Sequence, residues 1–276
     1  MPKSLIDKQV DGTVKLTITI PHDKIAKARE EAIVAVAKQA NIPGFRKGKA
    51  PEKLVEEKLN KEQIQEDVLK KLLPEAYQGA VMEHQLRPIM NPKIHIEKIE
   101  EDKDWVFEAL TCEAPIVDTG EYKKNVAKVT AKNKIIIPGK EPQKPSFEEI
   151  AKAVLEDSKV KIPSILLEQE TDRLLAQLLD DIKKLGLNLE QYLASTKRTP
   201  EDLRDEYAKR AESDMKLEFV LQKIAEQEKI TVEEKEIDEA IQKAKSPAEK
   251  ENLQNNKYLL AAILRQQKTL DFLMGL

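Results

Sequence analysis

The residues best suited to chemistry lie in one stretch, Asn41-Ile42-Pro43-Gly44-Phe45-Arg46-Lys47-Gly48-Lys49-Ala50-Pro51. Its prolines fix φ and discourage helix, and its glycines open conformations closed to other residues. A helical pattern runs into the stretch and another leaves it, so it reads as a tight loop at a helix–helix tip. Burying Phe45 inside so short and basic a loop is difficult. A ring held out beside Arg46 and Lys47 suits docking to an acidic or phosphate-bearing partner, against the blander reading of a solvated turn. A phosphate-cradling nucleotide loop fails on detail. It needs four residues between its glycines and Ser or Thr after the lysine, whereas three residues separate Gly44 from Gly48 and Ala50 follows Lys49.

No other residues combine into a catalytic set. His22, His84 and His95 stand far apart, without neighbouring cysteines or a His-Glu-x-x-His spacing, so no metal site is expected. No serine sits in a nucleophile elbow. Cys112 falls in a strand pattern and reads as a small core residue, and one cysteine excludes an internal disulfide. The carboxylates alternate with lysines as they do on solvated helix faces. Neither catalysis nor a cofactor is expected.

These residues must be carried by elements, and 276 residues leave room for two modest domains. Net charge is −3 but uneven: residues 1–145 hold 26 Lys+Arg against 23 Asp+Glu, and residues 146–276 hold 21 against 27. A weakly basic front and an acidic rear suit a protein that meets a charged partner with one end. Neither half has the basic density of a general nucleic-acid binder. With 35% charged residues, 4% aromatics and few glycines, long solvated helices are expected. Asp7, Lys8 and Gln9 interrupt the first apolar run, which argues against a signal peptide. No stretch approaches a membrane span, and the expected location is the cytoplasm.

Residues 4–10 and 13–20 flank the hairpin pair Asp11-Gly12, and Val14, Leu16, Ile18 and Ile20 alternate on one face. A helix from Ile25 to Ala40 leads to the loop. Pro51 opens another, and helical pattern continues through Val68, Leu72 and Tyr77. Residues 86–100 and 104–113 read as two more strands. The fold class is α+β over residues 1–114, an antiparallel sheet with helices and a helix–loop–helix tip. Residues 115–145, with four prolines and seven lysines, read as an interdomain linker, with extended runs near Val126–Val129 and Ile135–Ile137. Residues 146–276 read as an elongated all-α domain with arms. Capping boxes are expected at Ser146/Glu149 and Thr231/Glu234, a glycine stop at Gly186, and a cap with proline at Thr199-Pro200.

Gly-Phe-Arg-x-Gly-Lys-x-Pro stands here as Gly44, Phe45, Arg46, Gly48, Lys49 and Pro51, with Lys47 at the variable place. It resembles the ribosome-binding signature of the trigger factor family, bacterial chaperones that meet nascent chains at the tunnel exit. The resemblance extends over residues 1–114 and, from Lys161-Ile162-Pro163 onward, over the helical rear. It implies that Phe45, Arg46 and Lys47 touch the large ribosomal subunit beside the exit, and that the rear shields apolar segments of nascent or unfolded chains without ATP. The partners expected on this basis include a second copy in a weak homodimer off the ribosome, and no membrane. The family usually carries an isomerase domain of the FKBP type, which needs about a hundred residues. Only 31 residues, with Tyr122 as their one aromatic, separate Ala114 from Ser146, so isomerase activity is not implied.

Client binding would then fall to apolar surface, which is non-directional and sequence-tolerant. Phe147, Ile165, Leu166, Leu259, Leu260, Phe272 and Met274 are the candidates, because apolar residues there exceed one helical stripe or lie near an end. The competing reading has them packing the helices together. Other functions compatible with the sequence are a ribosome-bound structural or regulatory factor that holds no clients, a residual prolyl isomerase, and an extracytoplasmic chaperone with a similar helical body.

Overall fold

Alternation along Thr13–Ile20 organises the front of the chain. The computed structural model describes residues 3–39, 61–100, 102–133 and 145–276, in two units. The first comprises residues up to Ala114 together with Pro163–Leu166. Strands β1 (Lys3–Lys8), β2 (Thr13–Ile20), β3 (Lys93–Lys98) and β4 (Trp105–Cys112) form an antiparallel sheet in the order β1-β2-β4-β3. The register sets Leu16 against Ala109, Ile18 against Phe107 and Ile20 against Trp105. Cross-strand partners share a face, so these side chains meet in one layer. Helices α1 (His22–Gln39) and α2 (Lys61–Glu83) cover that layer with Ile25, Ala28 and Ile33 from α1, and Ile64, Val68 and Leu72 from α2. The strands at residues 86–100 and 104–113 are thus present in shorter form.

On the other face of the sheet Lys15 pairs with Glu108, an ion pair that is partly solvated and worth little. One corner of that face is closed by the returning segment Pro163–Leu166, where Thr13 and Cys112 are buried. Asp11 organises this closure. Its carboxylate accepts from the Thr13 N–H at 3.0 Å, the Ser164 N–H at 3.0 Å and both hydroxyls. Gly12, at φ +92°, turns the hairpin where a Cβ would lie 3.3 Å from Pro163. Glycine suits this turn because the left-handed conformation has no steric cost for it.

The second unit holds residues 115–162 and 167–276. Its elements are the short pair β5 (Val117–Asp118) and β6 (Lys159–Val160), then helices α3 (Tyr122–Asn133), α4 (Phe147–Leu155), α5 (Ser164–Lys184, first turn in the first unit), α6 (Leu189–Thr196), α7 (Pro200–Gln227), α8 (Glu234–Gln242), α9 (Pro247–Asn255) and α10 (Lys257–Met274). Tyr122, Val126, Ile150, Val154, Leu221, Ile224 and Leu273 build its core.

Two expectations are corrected here. Val126–Val129 is helical rather than extended: Tyr122, Val126 and Val129 recur at helical spacing and face the core, and Val126 is fully buried. Ile135–Ile137 lies outside the described residues. The cap expected at Thr231/Glu234 forms two residues later, where the Glu236 carboxylate accepts from the Glu233 N–H at 2.8 Å. The Thr231 carbonyl instead accepts from Lys268 at 2.7 Å. The Ser146/Glu149 box, the Thr199–Asp202 cap with Pro200, and the turn at Gly186 (φ +74°) form where the sequence placed them.

Candidate functional site

Among the described residues no group of three or more His, Cys, Asp or Glu side chains is arranged to hold a metal ion. His22 lies 3.6 Å from Asp102, His95 sits on β3, and His84 lies at the end of α2. Ser4, His84 and Glu83 do converge, with the Ser4 hydroxyl 2.5 Å from Glu83 Oε2 and 2.9 Å from His84 Nε2. The hydroxyl has one proton and donates it to Glu83, so the His84 ring must donate to the serine oxygen. An imidazole in that role cannot take the serine proton, so the three side chains do not form a serine–histidine base pair. Burial, with the Asp11 charge, pushes the Cys112 thiol up to about 11, which leaves it an inert core residue.

Gly44, Phe45, Arg46, Lys47, Gly48, Lys49 and Pro51 fall between α1 and α2, outside the described residues, as does the helix expected from Pro51. The described parts of α1 and α2 pack on each other, and Glu31 and Lys71 form an ion pair between them. The described elements before and after residues 40–60 are therefore a packed helix pair resting on the sheet.

The apolar candidates separate by burial. Ile165 is buried in the corner closed by Asp11, and Leu260 is also buried, so both act as packing residues. Leu166, Phe272 and Met274 are half-buried, the last two against the core of the second unit. Phe147 and Leu259 are exposed, at 47% and 59%.

Leu259 has neighbours that sequence reasoning did not select. Tyr258 is 91% exposed and Ile263 is 52% exposed, and Ala262 is exposed between them. Residues 258, 259, 262 and 263 occupy one side of two successive helical turns. Elsewhere on α10, Leu260 and, further along the helix, Thr269 and Leu273 are buried. Polar ties hold the helix in place. Arg265 Nε donates to the Ile230 carbonyl at 2.9 Å, Lys268 bridges both Glu236 oxygens at 2.9 Å, and Lys257 pairs with Asp238 at 3.2 Å. A helix tied at these points presents a tyrosine, a leucine, an alanine and an isoleucine outward. The signal was available in Tyr258-Leu259-Leu260-Ala261-Ala262-Ile263-Leu264, which has too many apolar residues for one stripe. A second apolar exposure lies where α5 turns at Gly186, with Leu185 76% and Leu187 41% exposed.

Comparison with known proteins decides the family. The model for bacterial trigger factor protein (TF) matches residues 3–137, and that for the trigger factor C-terminus matches residues 142–275. The chain belongs to the trigger factor family. The two matches leave only residues 138–141 between them, so no further domain separates the family's two parts in this chain. Trigger factor from Staphylococcus epidermidis is 42% identical over 108 residues, covering 39% of this chain and 25% of the relative. Trigger factor from Staphylococcus aureus is 41% identical over the same length. The matched region thus spans about a quarter of the length of these curated relatives. A solved structure concerned with promiscuous substrate recognition in folding and assembly by the trigger factor chaperone superposes with a TM-score of 0.66. That similarity covers 98% of this chain and 99% of the other at 16% identity, and it establishes a shared fold. No helix among the described residues is long and apolar enough to cross a membrane.

Proposed function

We propose that this trigger factor relative is an ATP-independent chaperone without an isomerase domain. It docks beside the ribosomal tunnel exit through Phe45, Arg46 and Lys47 and holds apolar segments of emerging chains in its helical unit. The observation that carries the holding role is the outward face of α10, where Tyr258, Leu259, Ala262 and Ile263 are exposed on two consecutive turns. An exposed cluster of this kind binds through the hydrophobic effect, so recognition is weak, reversible and tolerant of sequence. Family membership and the signature at Gly44–Pro51 support the docking role.

The experiment for docking is ribosome co-sedimentation of the parent beside a Phe45→Ala, Arg46→Ala, Lys47→Ala variant at two salt concentrations. The parent should pellet with ribosomes, more weakly at higher salt, and the variant should stay in solution. Equal pelleting of the two proteins would show that the loop is only a turn. Isomerase activity is not expected, and a proline-limited refolding assay should show no rate gain.

A further inference from the structure

The second unit holds a cleft of about 820 Å³ in which basic and apolar groups meet. One side comes from α7, where Lys209, Glu212 and Lys216 share a helix face at i, i+3 and i+7. The rest comes from the β5 and β6 segments, with Lys159 beside Val160, and from Leu155 at the end of α4. Leu155 and Val160 are half-buried and rooted in the core, whereas Ile116 is 94% exposed at the cleft.

The charges in the cleft do not cancel. Lys159, Lys161, Lys209 and Lys216 line it against two carboxylates: Glu212, paired with Lys216 at 2.6 Å, and Asp118, which stands opposite Lys159 in the β5–β6 register and keeps its charge while accepting the Gly120 N–H at 3.1 Å. Among the described residues neither Lys159 nor Lys209 is in an ion pair, so two ammonium groups border an apolar surface. Residues 146–276 carry more acidic than basic groups, which makes the cleft a local exception to its surroundings. We propose that it docks an extended polypeptide segment in which carboxylates alternate with aliphatic side chains. The aliphatic residues would lie against Leu155, Val160 and Ile116, with carboxylates toward Lys159 and Lys209. Such a segment is repelled by the acidic surface at large and received here. Among the described residues that line the cleft none is aromatic and able to stack on bases, which favours a peptide over a single-stranded nucleic acid. This is a second surface, chemically distinct from the neutral apolar face of α10.

The test is fluorescence anisotropy on the full chain with a labelled peptide alternating Leu and Asp, and with its Leu/Asn counterpart. Two exposed ion pairs predict roughly 3- to 10-fold tighter binding of the Asp peptide at low salt, shrinking as salt rises. The Lys159→Glu, Lys209→Glu variant should lose that preference, while a Leu259→Ser, Ile263→Ser variant should keep it. Equal affinity for the two peptides, or a preference that survives charge reversal, would overturn the proposal. Tighter binding of a single-stranded oligonucleotide of equal charge, abolished by the same reversal, would reassign the cleft to nucleic acid. Loss of client holding in the α10 variant, with the Asp preference intact, separates this cleft from the face that carries the chaperone reading.

Discussion

The β2–β4 pair and helix α10 treat apolar side chains in opposite ways. On β2 and β4 every core-facing position finds a partner: Leu16 and Ile18 are fully buried and Phe107 is 2% exposed. Exposed apolar residues of the first unit, such as Leu5, Met82 and Ile89, sit singly on different elements and need no explanation. Helix α10 divides its apolar residues mainly along its length. Leu260 and Leu273 are absorbed by packing, whereas Tyr258, Leu259 and Ile263, in its first two turns, are left outside. Burying side chains of this size is worth about 1.5–3 kcal/mol each, which the folded helix has not gained and a partner can supply. Clustering therefore separates a stability surface from a binding surface, where simple exposure does not.

Substitutions can break or sharpen that contrast, and the largest effect belongs to the satisfied core. Phe107→Ala should destabilise the first unit by about 3–5 kcal/mol, read as a lowered denaturant midpoint. A loss below about 1 kcal/mol would mean that the sheet layer is loosely packed. In the second unit, Gly120 at φ +53° would place a Cβ 2.6 Å from the Asp157 carbonyl oxygen. Gly120→Ala should cost roughly 2–4 kcal/mol from backbone strain and overlap, and a neutral result would contradict the close approach.

The Asp11 closure should contribute less. Asp11→Ala removes four accepted hydrogen bonds, two of them from Ser164 at the start of α5, and should cost about 1–2 kcal/mol, as lost caps do. Burial would raise this carboxyl, but the bonds from Ser164 and Thr13 outweigh it and hold the group well below the usual carboxylate range. A depressed folded value means that folding favours the charged form. The contribution is whole above about pH 4 and drains away as pH falls further. Urea midpoints of parent and Asp11→Ala should therefore converge in acid. A gap that widens in acid would reverse the assignment.

Much of this was legible in the sequence where one signal dominated. Val14, Leu16, Ile18 and Ile20 alternate without interruption, so the strand and its buried face could be read directly. Thr199-Pro200-Glu201-Asp202 satisfies every rule for a helix start, and the helix begins there. Residues 122–133 were harder because lysines and β-branched residues obscure the spacing of Tyr122, Val126 and Val129. Local chemistry also misplaced the cap at Thr231, whose carbonyl is used by Lys268, 37 residues away. The candidate surface was half legible: an excess of apolar residues in α10 was visible, but which of them are buried depends on packing partners distant in sequence. Leu260 was therefore selected alongside Leu259, although only Leu259 faces out.

The most direct measurement is suppression of aggregation of a chemically unfolded model protein by the parent and by a Tyr258→Ser, Leu259→Ser, Ile263→Ser variant. Because these side chains are exposed, the variant's denaturant midpoint should match the parent's, within about 0.5 kcal/mol of stability per site. The parent should suppress aggregation at stoichiometric excess, and the equally stable variant should lose most of that capacity. Undiminished suppression by the variant would contradict a holding role for α10, and failure of the parent itself would favour a ribosome-bound factor that holds no clients.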